Sequence, residues 1–283
     1  MFTMEPQIEL PHDVFKLLRE IVYEYSGIYF DDNSKYFMES RLQPSVRRHQ
    51  FSSFRDYYYL LKYDRQKEEE LAAIIDVLTI HETYFFREDK QLRAFTDEIL
   101  PEFHERRKGQ DRSLRIWSAG CSTGEEAYTI GMLVLEKPEF KDWRVEILGT
   151  DISHLVIHAA RRGVYGGSSF RSTPQATIGR WFTPEEQGHR INDPVRKPIS
   201  FSQMNLMDTH RISLLQPMDI IFCRNVIIYF DLAAKKKVIE AFYGGLVEGG
   251  YLLLGHSESL LNISTSFSLK HLKNDIVYQK AGR

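Results

Sequence analysis

Glu125 and Glu126 stand directly behind the turn Gly120-Cys121-Ser122-Thr123-Gly124, and the run Leu114-Arg115-Ile116-Trp117-Ser118-Ala119 stands in front of it. Together they read as a buried strand, a tight turn and a helix. Such a turn ordinarily offers backbone N–H groups and a positive helix end to a phosphate. A phosphate here would meet two carboxylates instead, and the Gly-Lys-Ser/Thr ending of a Walker loop is replaced by Gly-Glu-Glu. S-adenosylmethionine carries no phosphate but has an ammonium and a sulfonium, so the same carboxylates attract it. Asp151 ends the next apolar run in Leu-Gly-Thr-Asp-Ile-Ser, where an acid can accept both ribose hydroxyl hydrogens. The pattern favours a methyl donor over NAD or ATP. Carboxylates also suit the first turn of any helix, and the spacing does not choose between Glu125 and Glu126.

A second polar group lies in DIIFCRNVIIYF. Cys223, Arg224 and Asn225 end an apolar run and lead to Tyr229, and polar groups in that setting are costly unless partnered. In HETYFFRED, Thr83 and Arg87 are four apart and share a face if the segment is helical; such a segment can lie across the strand ends as a lid. GCSTG also matches the G-x-S-x-G nucleophile elbow, with Ser122, Asp219 and His256 in triad order. Against a hydrolase, the turn follows the first strand, no HGGG-like segment precedes it, and two glutamates would oppose an oxyanion.

The elements that must hold these groups fall into two regions. Before about residue 90, four apolar stripes recur at helical spacing: Val14, Leu17, Leu18, Ile21, Val22 and Tyr25; Met38, Leu42 and Val46; Phe54, Tyr57, Tyr58 and Leu61; Leu71, Ile74, Ile75 and Leu78. Gly27 ends the first, and Asn33 or Ser34 can cap the second. From Ser113 onward, strands are expected at LRIWSA, VEILGT, ISFSQM, DIIFC and YLLLG, with a closing hairpin in TSFSLKHLKNDIVYQK. Continuously apolar strands imply a sheet covered on both faces. The turn-rich stretch from Gly163 to Pro198 is too long for a simple connection and reads as an inserted subdomain or lid.

Length and composition fit a soluble globular chain, with no apolar run of membrane-spanning length and no secretory leader, so a cytosolic protein is expected. Cys121 and Cys223, the two cysteines, are expected to be buried or half-buried free thiols. The formal charge of -2 gives no overall footprint for nucleic acid, but Lys35 to Lys67 carries eight Lys/Arg against three acids. On the second helix Arg41 and Arg48 share a face with Arg47 beside it, which suits an acidic protein surface.

TYFFRE, WSAGCSTGEEAYTI, GTDIS, FCRNVIIYF and GGYLLLGHSE together resemble the chemotaxis receptor glutamate methyltransferases, the CheR family. The likeness runs from GIYFDDNSKYFMESRL to the closing hairpin. It implies an α/β fold: a class I SAM-dependent methyltransferase (Rossmann-like) domain over 91–283, an N-terminal helical domain with its linker over 1–90, and a small inserted antiparallel β subdomain over 166–200. The implied reaction moves the methyl of S-adenosyl-L-methionine to glutamate side chains of chemoreceptor cytoplasmic helical bundles, leaving S-adenosyl-L-homocysteine and requiring no metal. Carried onto this chain, the donor-binding pattern falls on His81, Thr83, Arg87, Glu126 (with Glu125 open), Asp151, Asn205, Leu206, Arg224 and Asn225. Arg87 and Tyr229 resemble the pair beside the transferred methyl, and Arg41, Arg47 and Arg48 the receptor-docking face. His81 stands where relatives often have Asn, and RLQPSVRR is less basic than the matching run of some relatives. The resemblance implies a cytoplasmic monomer recruited to membrane-bound receptor arrays, without nucleic acid or membrane insertion, and leaves open whether the insert grips a receptor's C-terminal peptide. Two other readings stay open: methylation of a different protein carboxylate, and a module that binds a nucleoside without turnover.

Overall fold

The computed structural model describes residues 7–109 and 111–282; the first six residues of the expected helical domain, with Gln110 and Arg283, lie outside the described residues. The chain divides into a helical unit up to Ile80, joined by Tyr229–Asp231, and an α/β unit made of His81–Ile228 and the chain from Leu232 onward.

In the helical unit, α1 (His12–Ser26), α2 (Lys35–Arg48), α3 (Phe54–Tyr63) and α4 (Lys67–Leu78) bury the stripes that their spacing dictates. Val14, Leu18, Val22, Met38, Leu42, Val46, Phe54, Tyr57, Ile74 and Ile75 are fully enclosed. Gly27, at φ 74, ends α1 because its N–H can turn back to the Tyr23 carbonyl in a left-handed conformation that a side chain would strain. Asp31 caps the 3-10 turn that leads into α2, in place of the expected Asn33 or Ser34, and the Ser53 hydroxyl caps α3. Glu70 on α4 is buried and receives Arg48 at 2.7 and 2.9 Å and the Tyr57 hydroxyl, with His49 Nε2 3.0 Å from Oε2. Residues 229–231 belong to this unit: the Tyr29 N–H donates to the Tyr229 carbonyl at 2.9 Å, Phe230 bridges Ile28, and the Tyr23 hydroxyl donates to Asp231 at 3.0 Å.

The α/β unit begins with the irregular segment His81–Glu88 and continues through α5 (Asp89–Ala94), a π turn and α6 (Leu100–Arg106). Its division from the helical unit falls at Ile80–His81 rather than at residue 90, because hydrogen bonds donated by Ser122 and Arg224 and accepted by Thr129 and Ser169 hold His81–Glu88 in the α/β unit. The main sheet is built from β1 (Ser113–Ala119), β2 (Arg144–Asp151), β6 (Ile199–Gln203), β7 (Met218–Cys223), β8 (Leu246–Leu254), β9 (Phe267–His271) and β10 (Ile276–Lys280). Their order is β6-β2-β1-β7-β8-β10-β9, with the first five parallel and β10 and β9 forming the antiparallel hairpin. Strand order therefore reverses between β1 and β7, the place where an open parallel sheet leaves a crevice at its carboxyl edge. α7 (Glu125–Leu135), α8 (His154–Arg162), α11 (Thr209–Ser213) and α12 (Leu232–Gly245) make the connections. Every residue of β7 is buried, as its unbroken apolar run requires.

The insert between α8 and β6 is a three-stranded antiparallel sheet of β3 (Val164–Tyr165), β5 (Gly188–Ile191) and β4 (Phe182–Glu185), with α9 (Gln175–Trp181) and α10 (Asp193–Arg196). It starts at Val164, two residues before the expected boundary, since β3 pairs with Arg190 and His189 immediately after α8. Phe85, Tyr165, Phe170, Trp181 and Phe182 form its aromatic core.

Candidate active site

Gly120 (φ 82), Ser122 (φ 49) and Gly124 (φ 97) bend the chain sharply between β1 and α7, and the turn is sewn to the end of β2. The N–H groups of Gly120 and Cys121 donate to the Thr150 carbonyl at 2.7 and 2.8 Å, and Ser122 N–H donates to Asp151 Oδ2 at 2.9 Å. Asp151 Oδ1 takes the Ser153 N–H at 3.0 Å. Burial raises the Asp151 carboxyl above its ordinary value, against these N–H groups and the nearby His81, which lower it. An acid held this way keeps a lone pair on each oxygen for hydroxyl donors.

The two turn glutamates face different neighbours. Glu125 is buried and takes the hydroxyls of Thr123 at 2.6 Å and Ser169 of the insert at 2.8 Å; burial raises its carboxyl in spite of both. Glu126 takes Ser118 Oγ at 2.7 Å and the Arg224 Nε at 2.6 Å. Arg224, at the end of β7, is 7 % exposed and also donates from Nη1 to the Arg87 carbonyl at 2.9 Å. Its guanidinium thus ties the His81–Glu88 strap to the α7 carboxylate.

That strap is not helical, so Thr83 and Arg87 do not share a helix face. Helix formation is lost to tertiary contacts: Phe85 is fully buried among Tyr165, Phe170 and Phe182, worth roughly 2–3 kcal/mol. Phe85 N–H donates to the Ser169 carbonyl at 2.9 Å, and Phe86 N–H to Thr129 Oγ1 at 3.2 Å. The His81 carbonyl receives the Ser122 hydroxyl at 3.3 Å. The strap therefore does cross the carboxyl edge of the sheet. Arg87 donates to the Glu82 carbonyl at 2.9 Å and lies 5.7 Å from the Tyr84 ring, whose other neighbour is Arg171 of the insert at 3.8 Å.

Asn205 and Leu206 follow β6 beside Asp151, whose carbonyl takes the Met204 N–H at 2.8 Å; the Asn205 side chain accepts from Met207 N–H at 2.9 Å, and Leu206 is buried. Asn225 has a left-handed backbone, φ 59, and its N–H donates to Glu258. The α/β unit thus gathers His81, Thr83, Arg87, Glu126, Asp151, Asn205, Leu206, Arg224 and Asn225 along one sheet edge. Tyr229 belongs to the helical unit, as do Arg41, Arg47 and Arg48. Arg41 is exposed and lies over the Phe37 ring at 5.3 Å, whereas Arg48 is held by Glu70.

The Ser122 triad is overturned by topology. Asp219 sits at the opposite end of β7, where it holds Arg107 and the Arg115 N–H, roughly 13 Å of strand away from the β7 carboxyl end. His256 lies 3.6 Å from Asp275. Cys121 and Cys223 are buried free thiols, raised by burial and by neighbouring carboxylates. Among the described residues, no group of three or more His, Cys, Asp or Glu is arranged to hold a metal ion, and no helix is long and apolar enough to cross a membrane.

Residues that spacing alone missed are the supports: Ser169 and Tyr165 of the insert, the latter donating to the Thr123 carbonyl at 2.7 Å, and Glu258. GHSE gave a motif for Glu258 but no partner.

The family model described as "CheR methyltransferase, SAM binding domain" matches residues 81–276, and "CheR methyltransferase, all-alpha domain" matches residues 13–79. The chain is 36 % identical over 268 residues to a "Chemotaxis protein methyltransferase 2" of Vibrio cholerae, covering 94 % of this chain and 92 % of that protein. It is 34 % identical over 257 residues to a "Chemotaxis protein methyltransferase" of Borreliella burgdorferi, covering 89 % of this chain and 90 % of that protein.

Proposed function

Since the chain belongs to the CheR methyltransferase family and is a SAM-dependent methyltransferase of chemotaxis, we propose that it methylates glutamate side chains on the cytoplasmic helical bundle of chemoreceptors, yielding glutamate methyl esters and S-adenosylhomocysteine. The observation that carries the methyl-donor part of this reading is the acidic turn, and the acceptor part is supported by the likeness to chemotaxis protein methyltransferases. Among the described residues, Glu125, Glu126 and Asp151 stand at the glycine bend with a single cation hydrogen-bonded to them, the Arg224 guanidinium on Glu126 Oε2, so a phosphate cofactor would meet net negative charge that suits a sulfonium ligand.

When bound, S-adenosylmethionine supplies a methyl group on a sulfonium. Asp151 accepts the ribose hydroxyls, Glu126 serves the cationic end, and Asn205, Leu206 and Asn225 line the nucleoside side. Arg224 acts through the strap it holds, together with the backbone it shares with Asn225. His81 and Thr83 contribute from the strap. A glutamate carboxylate is ionised at neutral pH, with an ordinary pKa of about 4.3, so no general base is needed. The chain's task is alignment and exclusion of water. Arg87 holds a carboxylate directionally, and Tyr229 donates its hydroxyl to the acceptor carboxylate. Arg41 and Arg47 meet the acidic receptor surface; Arg48, spent largely on Glu70, contributes less. The enzyme works in the cytoplasm as a monomer, at receptor arrays, without a metal.

The test is incubation with labelled S-adenosylmethionine and receptor-containing membranes, followed by release of base-labile methyl. Label that is lost in Arg87→Ala and reduced in Tyr229→Phe is the expected result. Donor binding with no base-labile transfer to receptor refutes the substrate.

A further inference from the structure

Glu258 lies in the loop after β8, and its carboxylate organises two strand ends. Oε2 takes the N–H groups of Asn225 at 2.8 Å and Gly255 at 2.7 Å. Oε1 takes those of Val226 at 3.0 Å and Ile228 at 3.2 Å. Four backbone donors on one side chain form an anion nest turned inward, filled by the protein's own carboxylate. Burial raises that carboxyl, and the backbone N–H groups oppose the rise.

The nest accounts for two otherwise costly features. Asn225 is held at φ 59, a conformation that costs a residue with a side chain and persists only where surrounding bonds impose it. Val226, next in the chain, seats its side chain on Gly120 so closely that a Cβ at Gly120 would run into Val226 Cγ2. On the other side, a Cβ at Gly255 would come within 2.9 Å of both Asn225 Nδ2 and Glu258 Oε2. The carboxylate, the left-handed asparagine and the glycine bend are therefore one packed assembly.

We propose that Glu258 is a positioning residue of the methyl-donor site, fixing the Asn225 backbone and, through Val226, the Gly120 bend. This rests on the donor reading of that edge given above. Glutamine at 258 replaces one acceptor oxygen with an NH₂ donor that faces two N–H groups, so the clasp opens on one side while size is preserved.

The experiment measures S-adenosylhomocysteine binding by calorimetry, and donor and receptor KM with kcat, for the wild-type chain, Glu258→Gln, Asn225→Ala and the double variant. Glu258→Gln is expected to raise donor Kd and donor KM about tenfold while receptor KM stays unchanged, and the two substitutions are expected to be non-additive, because the Asn225 backbone that Glu258 holds sets the direction of the side chain that the second substitution removes. A loss confined to kcat or to melting temperature, with donor Kd and KM at wild-type values, overturns the proposal, since a merely structural role lowers the active fraction alone. Additive effects overturn it too. If Glu258→Gln does not fold, Glu258→Asp is measured in its place, with the same criteria. Failure of the wild-type chain to bind S-adenosylhomocysteine refutes the donor reading itself; tight binding by both wild type and Glu258→Gln refutes only the role of Glu258.

Discussion

Replacing Arg224 with methionine keeps an unbranched apolar stem and removes the guanidinium with its charge. The guanidinium is 3 % exposed as a side chain, and its carboxylate partners Glu126 and Glu88 are 12 % and 11 % exposed. Breaking a buried ion pair from one side costs about 3–5 kcal/mol, because the remaining charge stays desolvated. Glu126 retains the Ser118 hydroxyl at 2.7 Å, so the lower end of that range, about 3 kcal/mol, is expected. For a unit of this size about 2–4 °C is lost per kcal/mol, which gives a fall in melting temperature of about 6–12 °C by calorimetry at neutral pH. Arg224→Lys restores a point charge but not the fork that reaches Glu126 and the Arg87 carbonyl together, and should recover only part of the loss. Donor affinity should fall in parallel, since the strap is released. A methionine variant that melts within about 1 °C of wild type would refute the buried network. Unchanged melting with lost donor binding would show instead that Arg224 touches the donor directly.

Arg48→Ala should cost the helical unit about 1 kcal/mol in chemical denaturation, a figure kept small because that side chain is 56 % exposed, whereas Arg41→Ala should leave stability unchanged and raise only the receptor KM. For Glu70, burial is the largest influence and raises the carboxyl, but Tyr57, His49 and Arg48 together leave it below its ordinary value; its contribution is therefore full above that value and lost as pH falls through the lowered one. Circular dichroism should show an acid limb in unfolding of the helical unit that Glu70→Gln flattens. Gly120→Ala combines a φ of 82 with a collision at Val226, and should lose about 1–3 kcal/mol and much of the donor affinity. Adding Val226→Ala should recover the steric part; a single variant indistinguishable from wild type in melting and donor titration would sink that reasoning.

The sheet was legible because β1, β7 and most of β8 are buried along almost their whole length, and such strands must be written as apolar runs between turn residues. The four helices of the first unit were legible for the same reason at a different period. The strap was not: TYFFR has helical spacing, but Phe85 gains more from the insert's aromatic cluster than one turn of helix would yield. The carboxylates at the glycine turn could be singled out by charge beside glycine. Their supports could not, because Ser169, Tyr165 and Glu258 act through contacts distant in sequence, and hydroxyls or acids in loops look alike until the fold brings a partner to them. The GEE pair shows the limit well. Adjacent and identical in type, Glu125 turns to the insert and Glu126 to β7, a difference set by the helical angle of one residue.

The hydroxyls that the insert lends to the donor turn bear on how such chains can be recombined. Tyr165 and Ser169 lie at the very start of the insert, and Phe170 stacks on Phe85 of the strap at 5.3 Å. A chimera that exchanged the whole insert for a relative's would import foreign partners for Thr123 and Glu125 and would unsettle methyl-donor binding even when only a new target was wanted. The hairpin of β4 and β5 makes no such bond to the donor turn through Thr183–Glu185. Crossover points placed around that hairpin tip would leave the Tyr165 and Ser169 bonds to the glycine turn in place.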